Sequence, residues 1–381
     1  MKQLVLHPGM AKTGTSSIQD TLGNSIEALR EHGVYYPPWR PFNHSYELSA
    51  LFRRNPVNSF YYKQFAPESE EAWEAEAGRL RDKWSDFFQS FSEGTCIVSA
   101  ESMEQFSVEE ITALVEFASP YFDQCRAILY VRDPLSAIKS RWEQSVKELE
   151  QPVSGETLLE NAKRRIHFRA LRRWGRAMGE DHILVRSFKP EAFINGNLLD
   201  DFFHCAGLPQ LLDAALDSQE SNTSLGKAGT AFLLQFNGRY PLYRDGRLNP
   251  ERALADNPDL LYSLIRELSP EQLSLDVRFS EEEAQAINDE IRFVNQFMEQ
   301  ADQFSEVVAS TRLTDLPDPA EVPQEFLLDL VNGLSLRLER VTADLQHQSR
   351  EVARLKAENA SLLAELEELR PPQEEQGPVD D

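Results

Sequence analysis

The sequence predicts an α/β protein, a parallel sheet flanked by helices, followed by a C-terminal coiled coil. Three observations lead there. Short β-branched runs alternate with amphipathic stretches to about residue 215; a turn rich in Gly, Lys and hydroxyl residues directly follows the first run; and an unbroken heptad pattern occupies residues 334–369.

The strand candidates are Leu4 to Leu6, Cys96 to Ser99, Ala127 to Val131 and Ile183 to Val185. Each is short, apolar and set between helical patterns, as buried parallel strands are. Between the first two, Trp73, Ala77, Leu80, Trp84, Phe88 and Phe91 recur at three- and four-residue steps, which predicts a helix with one buried face. Residues from about 216 to 325 read as mostly helical, with loops broken by Gly and Pro and little chemistry. The expected organisation is an α/β domain with a helical C-terminal part over 1–325, a coiled coil over 326–370 and an acidic disordered tail over 371–381.

The heptads are the cleanest pattern. Leu334, Leu338, Val341, Leu345, Gln348, Val352, Leu355, Asn359, Leu362, Leu366 and Leu369 alternate steps of four and three. With Leu338 at an a position, Val341 falls at d and Asn359 at a; one Asn at a favours a parallel two-stranded pairing at some cost in stability. A homodimer through 334–369 is the expectation. The alternatives are a different partner, or a long helix folded back on its own domain. Pro371 and Pro372 stop the helix, and the acidic tail beyond them is too polar to fold.

Composition limits the function classes. The chain has 381 residues, 41% of them hydrophobic, enough for a sizeable core. Its net charge of −24 argues against nucleic acid and anionic lipid as partners, so an anionic ligand must meet a local basic pocket. No stretch reaches the roughly 20 apolar residues of a membrane span. No basic n-region, long apolar h-region or cleavage site precedes Leu4, so a cytoplasmic location is expected. The three cysteines, Cys96, Cys125 and Cys205, are scattered and read as reduced core residues. The seven histidines show no paired-ligand spacing, and no metal is expected.

The turn after the first strand runs His7-Pro8-Gly9-Met10-Ala11-Lys12-Thr13-Gly14-Thr15-Ser16-Ser17-Ile18. A strand, such a loop and then a helix is how α/β folds bind phosphate: the helix N-terminus supplies N–H groups and a positive dipole end, and Lys12 supplies a full charge. It is not a Walker A loop, which would need glycines where Leu6 and Ala11 stand. An ordinary capped turn is the bland alternative. A second constellation strengthens the ligand reading. Ala127 to Val131 runs straight into Arg132-Asp133-Pro134, and the following helix carries Ser140 and Arg141. Arg132 thus ends a strand, where open α/β sheets bind ligands, and with Ser140 it makes a separate anion site.

Together these residues resemble the PAPS-dependent sulfotransferases, where PAPS is 3′-phosphoadenosine-5′-phosphosulfate. Lys12 to Ser17 is similar to that family's 5′-phosphosulfate loop, and Arg132 with Ser140 to its 3′-phosphate motif. His182 to Phe188, Asn197 to Phe202 and Asn222-Thr223-Ser224-Leu225 are similar to stretches of its bacterial members. The resemblance spans roughly residues 1 to 240. It implies a P-loop-like three-layer α/β fold and a sulfuryl transfer from PAPS to a hydroxyl, on a carbohydrate or another small acceptor. It implies that Lys12 contacts the bridging oxygen and 5′-phosphate, that Thr13, Gly14, Thr15, Ser16 and Ser17 bind phosphate and sulfate oxygens, and that Arg132 and Ser140 hold the 3′-phosphate.

The reaction also needs a base for the acceptor hydroxyl. His44 follows an aromatic, Pro-rich loop and titrates nearest neutrality. Glu101 ends a strand at the sheet's C-terminal edge. Both stay open as candidates, since the family uses His in some branches and Glu in others. Arg165, Arg169, Arg172 and Arg176 fall on one helical stripe, for an acidic acceptor or as a solvated face paired with this chain's own carboxylates. Two other functions remain in view: a small-molecule P-loop kinase, and a scaffold that has lost catalysis and recruits partners through its coiled coil.

Overall fold

The computed structural model describes residues 1–54, 69–147, 153–212, 225–244, 247–252, 258–269, 273, 275–312 and 314–368. Asn222, Thr223, Ser224, Leu369, Pro371, Pro372 and the acidic tail lie outside them.

Five strands form one parallel sheet: β1 Lys2–Pro8, β2 Val34–Tyr35, β3 Gly94–Ala100, β4 Gln124–Val131 and β5 Ile183–Ser187, in the order β2-β3-β1-β4-β5. Central β1 pairs with β3 on one side (Leu6 opposite Val98) and with β4 on the other (Leu6 opposite Ala127). The four sequence-predicted strands are β1, β3, β4 and β5, each longer than its apolar run.

Side chains alternate across the sheet and bury two separate faces. Leu4, Leu6, Val98, Leu129 and Val131 meet one layer of helices; Val5, Ile97, Ile128 and Tyr130 meet the other. The first layer includes α4 (Glu70–Gln89), α5 (Val108–Ala118), α6 (Pro134–Lys147), α7 (Gly155–Arg164) and α8 (Arg169–Met178). Trp84, Trp142 and Trp174 anchor α4, α6 and α8 there, each almost completely enclosed. The second layer holds α1 (Thr15–Asn24), α2 (Ile26–Glu31) and α9 (Leu198–Cys205), through Ile18, Leu22, Leu29, Phe202 and Phe203. Helix α3 (Ser45–Phe52) lies beside α4 on the first side. Aromatic burial at this scale is worth about 2–3 kcal/mol per side chain, so both layers are firmly held.

The later helices, α10 (Lys227–Arg239), α11 (Pro258–Leu268) and α12 (Glu281–Asn295), extend the first layer, and Leu233, Ile265 and Ile291 join its core. A short antiparallel pair, β6 (Tyr243–Arg244) and β7 (Arg247–Leu248), follows α10. Polar contacts tie this part to the sheet layer: Tyr262 donates to the Lys147 carbonyl at 2.6 Å, Lys163 pairs with Glu283 at 3.1 Å and Arg172 with Glu290 at 2.7 Å. On β5, Arg186 pairs with Asp201 at 2.6 Å and also with Asp302.

The last element is α13, Gln324–Glu368. Its first turns bury Phe326 and Leu330, and Arg337 donates to the Leu260 carbonyl at 3.0 Å and to Glu267 at 2.8 Å. No helix among the described residues is long and apolar enough to cross a membrane.

Candidate functional site

Every strand of a parallel sheet points its carboxyl end the same way, so the segments leaving β1, β3, β4 and β5 converge at one edge. They bring the phosphate-type loop, the Glu101 turn, Arg132 and Phe188 together.

The loop is closed from within. Gly9 donates its N–H to the Ala100 carbonyl at 3.1 Å, clamping the loop to the end of β3. The Thr13 hydroxyl donates to the Met10 carbonyl at 2.8 Å, and that of Thr15 to the same oxygen at 3.4 Å; both threonines are buried. Their hydroxyls therefore shape the loop from inside, while Ser16 is exposed and Ser17 half-buried. Lys12 and Gly14 both take left-handed backbone conformations, φ 65° and 71°. Left-handed residues turn successive N–H groups toward one concavity, and the first-turn N–H groups of α1 add to it. Lysine at positive φ is costly, on the order of 1 kcal/mol, and such conformations persist where the surroundings impose them. Gly14 has a second constraint, because a Cβ there would stand 2.3 Å from Leu198 Cδ2.

Two groups from the β4–α6 junction reach this loop. Arg132 donates to the Lys12 carbonyl at 3.1 Å, and its guanidinium lies 5.6 Å from the centre of the Phe188 ring. Asp133 starts α6 by accepting the Ser136 N–H at 3.0 Å, which fixes how that helix leaves the strand. From α6, Gln144 accepts from Lys12 Nζ at 2.6 Å. Ser140 lies four residues before Gln144 on the same helix and is half-buried. Lys12 and Arg132, predicted from separate segments, thus meet at the loop. Gln144 was not foreseen, although its four-residue step from Ser140 is the signal that could have found it.

The base candidates differ sharply in setting. Glu101 opens a single 3₁₀ turn (Glu101–Gln105) at the end of β3, close enough to the loop that a Cβ on Gly9 would be 3.0 Å from its Cγ. Desolvation raises the proton affinity of its carboxyl group, although the residue as a whole is exposed, and the positive charge of Lys12 works the other way. Glu104, on the same turn, is likewise raised by desolvation, and Arg141 and the Ala11 N–H counter this. Sequence reading passed over Glu104, since only the tertiary fold sets it against Ala11.

His44 is fully buried beneath the sheet edge. Its Nδ1 accepts the Ser99 N–H at 3.3 Å, its backbone N–H donates to the Ser99 carbonyl at 3.0 Å, and Tyr36, Trp39 and Trp84 surround its ring. Burial pushes its pKa down to about 3. Ser99 also contacts His7 Nδ1 at 2.8 Å and accepts from Gln19 at 3.0 Å, so it joins β1, α1, β3 and the His44 loop.

Of the Arg stripe on and before α8, Arg172 is engaged with Glu290 and its guanidinium lies 3.5 Å from the Phe293 ring centre. Arg165, Arg169 and Arg176 are exposed. Among the described residues, no three His, Cys, Asp or Glu side chains converge on a metal-sized site.

No family model and no curated protein matches the chain. Solved structures similar to it include three sulfotransferases or sulfotransferase domains. A sulfotransferase from Alicyclobacillus acidocaldarius is 17% identical with a TM-score of 0.34, over 62% of this chain and 90% of that one. The sulfotransferase domain of the Synechococcus PCC 7002 olefin synthase is 14% identical with a TM-score of 0.27, over 49% and 66%. The sulfotransferase domain from the curacin biosynthetic pathway is 12% identical with a TM-score of 0.31, over 76% and 96%.

Proposed function

We propose that this chain is a sulfotransferase that moves a sulfuryl group from PAPS to a hydroxyl of an acceptor. One observation carries the reading: Arg132 reaches across from the β4–α6 junction to the Lys12 carbonyl, so two anion-binding segments border one concavity. A donor with phosphate groups at both its 5′ and 3′ ends fits such a pair. The N–H groups from Thr13 to Ser17 and the Lys12 ammonium would take the 5′-phosphosulfate, and Arg132 and Ser140 the 3′-phosphate.

In the reaction, the acceptor oxygen bonds to sulfur as the bond from sulfur to the bridging phosphate oxygen breaks. The charge left on the phosphate meets Lys12 and the positive end of α1, groups fixed before the reaction begins. The proton leaves the acceptor hydroxyl for Glu101. The choice of Glu101 over His44 rests on access: Glu101 borders the loop, whereas His44 is enclosed and holds its proton poorly. Gln144 orients the Lys12 ammonium and Glu104 braces the loop at Ala11. We also propose that the chain acts as a homodimer joined through residues 334–369, on the strength of the heptads.

Adenosine 3′,5′-bisphosphate tests the nucleotide reading. It should raise the melting temperature without Mg²⁺, equivalent to about 2.7 kcal/mol at a hundredfold excess over its dissociation constant. AMP should do much less. Equal stabilisation by ATP, or a strict Mg²⁺ requirement, would instead favour the kinase.

A further inference from the structure

Helix α13 has two parts with different surroundings. Up to Arg337 it is held by α10 and α11: Phe326 and Leu330 are buried, the Phe326 ring lies 5.9 Å from that of Phe232 on α10, and a Cβ on Gly333 would meet Leu264 of α11 at 2.7 Å. From Leu338 to Leu355 its apolar seam faces away from the rest of the chain. Leu338, Val341, Leu345, Val352 and Leu355 are 47% to 68% exposed. A helix of this length without tertiary support is marginal in water, because helices in proteins draw most of their stability from packing an apolar face. That seam therefore calls for an occupant.

The flanking charges say which one. In the register with Leu338 at a, the g positions are Asp344, Glu351, Glu358 and Glu365, all acidic, while no e position is acidic and Lys356 is one of them. In a parallel pair each g faces an e of the partner helix, so Glu351 meets Lys356 of the second copy. In an antiparallel pair g faces g, which would set acid against acid along the seam. Glu351 is also paired with Arg354 of its own helix at 2.6 Å, an interaction either arrangement keeps. Asn359 at an a position adds the same preference, since in register it meets its own copy.

We infer that the occupant is a second copy of this chain, aligned parallel and in register from Leu338 onward, an inference that rests on the homodimer reading above. Both α/β bodies then hang at one end of the stalk. An antiparallel pair would separate the two exit points by about 45 Å of helix.

The full chain should run as a dimer in multi-angle light scattering at micromolar concentration. Val341→Cys, near one end of the seam, should then form an interchain disulfide under mild oxidation, at least tenfold above the wild-type chain with its three native cysteines. A monomeric wild-type chain would overturn both this inference and the homodimer reading. A dimer in which Val341→Cys stays uncrosslinked, while mixing it with Leu366→Cys gives the disulfide, would leave the dimer standing and overturn the parallel alignment. Trimers or larger assemblies would overturn the two-stranded pairing.

Discussion

At the scale of single residues, the proton affinities separate the two base candidates. Desolvation raises that of Glu101, so its ionised, proton-accepting form needs a higher pH than an ordinary carboxylate does. The acid limb of kcat/KM should accordingly lie above pH 4.5, and Glu101→Gln should abolish it along with most of the rate, by about two powers of ten or more. His44→Gln should leave that limb in place. Its effect belongs to stability: the folded-state pKa of His44, about 3, lies below the ordinary 6.5. The unfolded chain thus binds a proton that the folded chain refuses between those values. Stability from this group is complete above pH 6.5 and is lost as pH falls toward 3. Denaturant titrations from pH 7 to 4 should show a shallower acid decline in His44→Gln. If His44→Gln instead removed the limb while Glu101→Gln kept it, the roles would be reversed. The sequence could not settle this choice, because nothing local to Asn43-His44-Ser45 reveals how Trp84, forty residues on, encloses the ring.

At the scale of elements, the loop and its helix are set by backbone as much as by side chains. Gly14 precedes α1 at φ 71°, and the space a methyl group would need is taken by Leu198 and Phe188. Gly33, at φ 70°, has nothing near its Cβ position and provides the control. Gly33→Ala should cost only the left-handed backbone penalty, about 1–2 kcal/mol. Gly14→Ala should cost more than that and also weaken adenosine 3′,5′-bisphosphate binding, which Gly33→Ala should spare; equal effects of the two on binding would argue against the loop as the nucleotide site. Calorimetry and denaturant unfolding of both variants make the comparison. This stretch was legible because strand, glycine, lysine and helix follow one another within a few residues. So were the four long strands: the apolar runs of β1, β3 and β4 are buried on both faces, and that of β5, at the sheet edge, on one, with Leu184 exposed. β2 escaped because Val34–Tyr35 is too short to show a pattern and exists only by pairing with β3. Glu104 and Gln144 escaped for a related reason: their neighbours in the site, Ala11 and Lys12, lie more than ninety residues away in sequence, and only the sheet order brings them close.

At the scale of the whole molecule, the question is where the α/β body ends. The heptads begin at Leu334 by sequence, which draws a boundary near residue 325, in the first turn of the long helix. Side-chain burial points further along. Phe326 and Leu330 belong to the same core cluster as Ile265 and Ile291, and Arg337 fastens the helix to the Leu260 carbonyl and Glu267. From Leu338 to Leu355 the seam is exposed, and no residue of the proposed nucleotide site lies that far along the chain. A chain cut after Arg337 should therefore be monomeric, as stable as the body of the full chain, and fully responsive to adenosine 3′,5′-bisphosphate. A chain cut after Glu325 removes Phe326 and Leu330 from the core they share with α10 and α11. By the usual worth of a buried Phe or Leu side chain it should lose about 3–6 kcal/mol, whatever becomes of the dimer. Sedimentation equilibrium and denaturant unfolding of the two truncations separate assembly from folding: both should be monomers, and only the shorter should be destabilised. Equal stability of the two would mean that the first turns of the helix belong to the stalk, and that α11 completes the body without them.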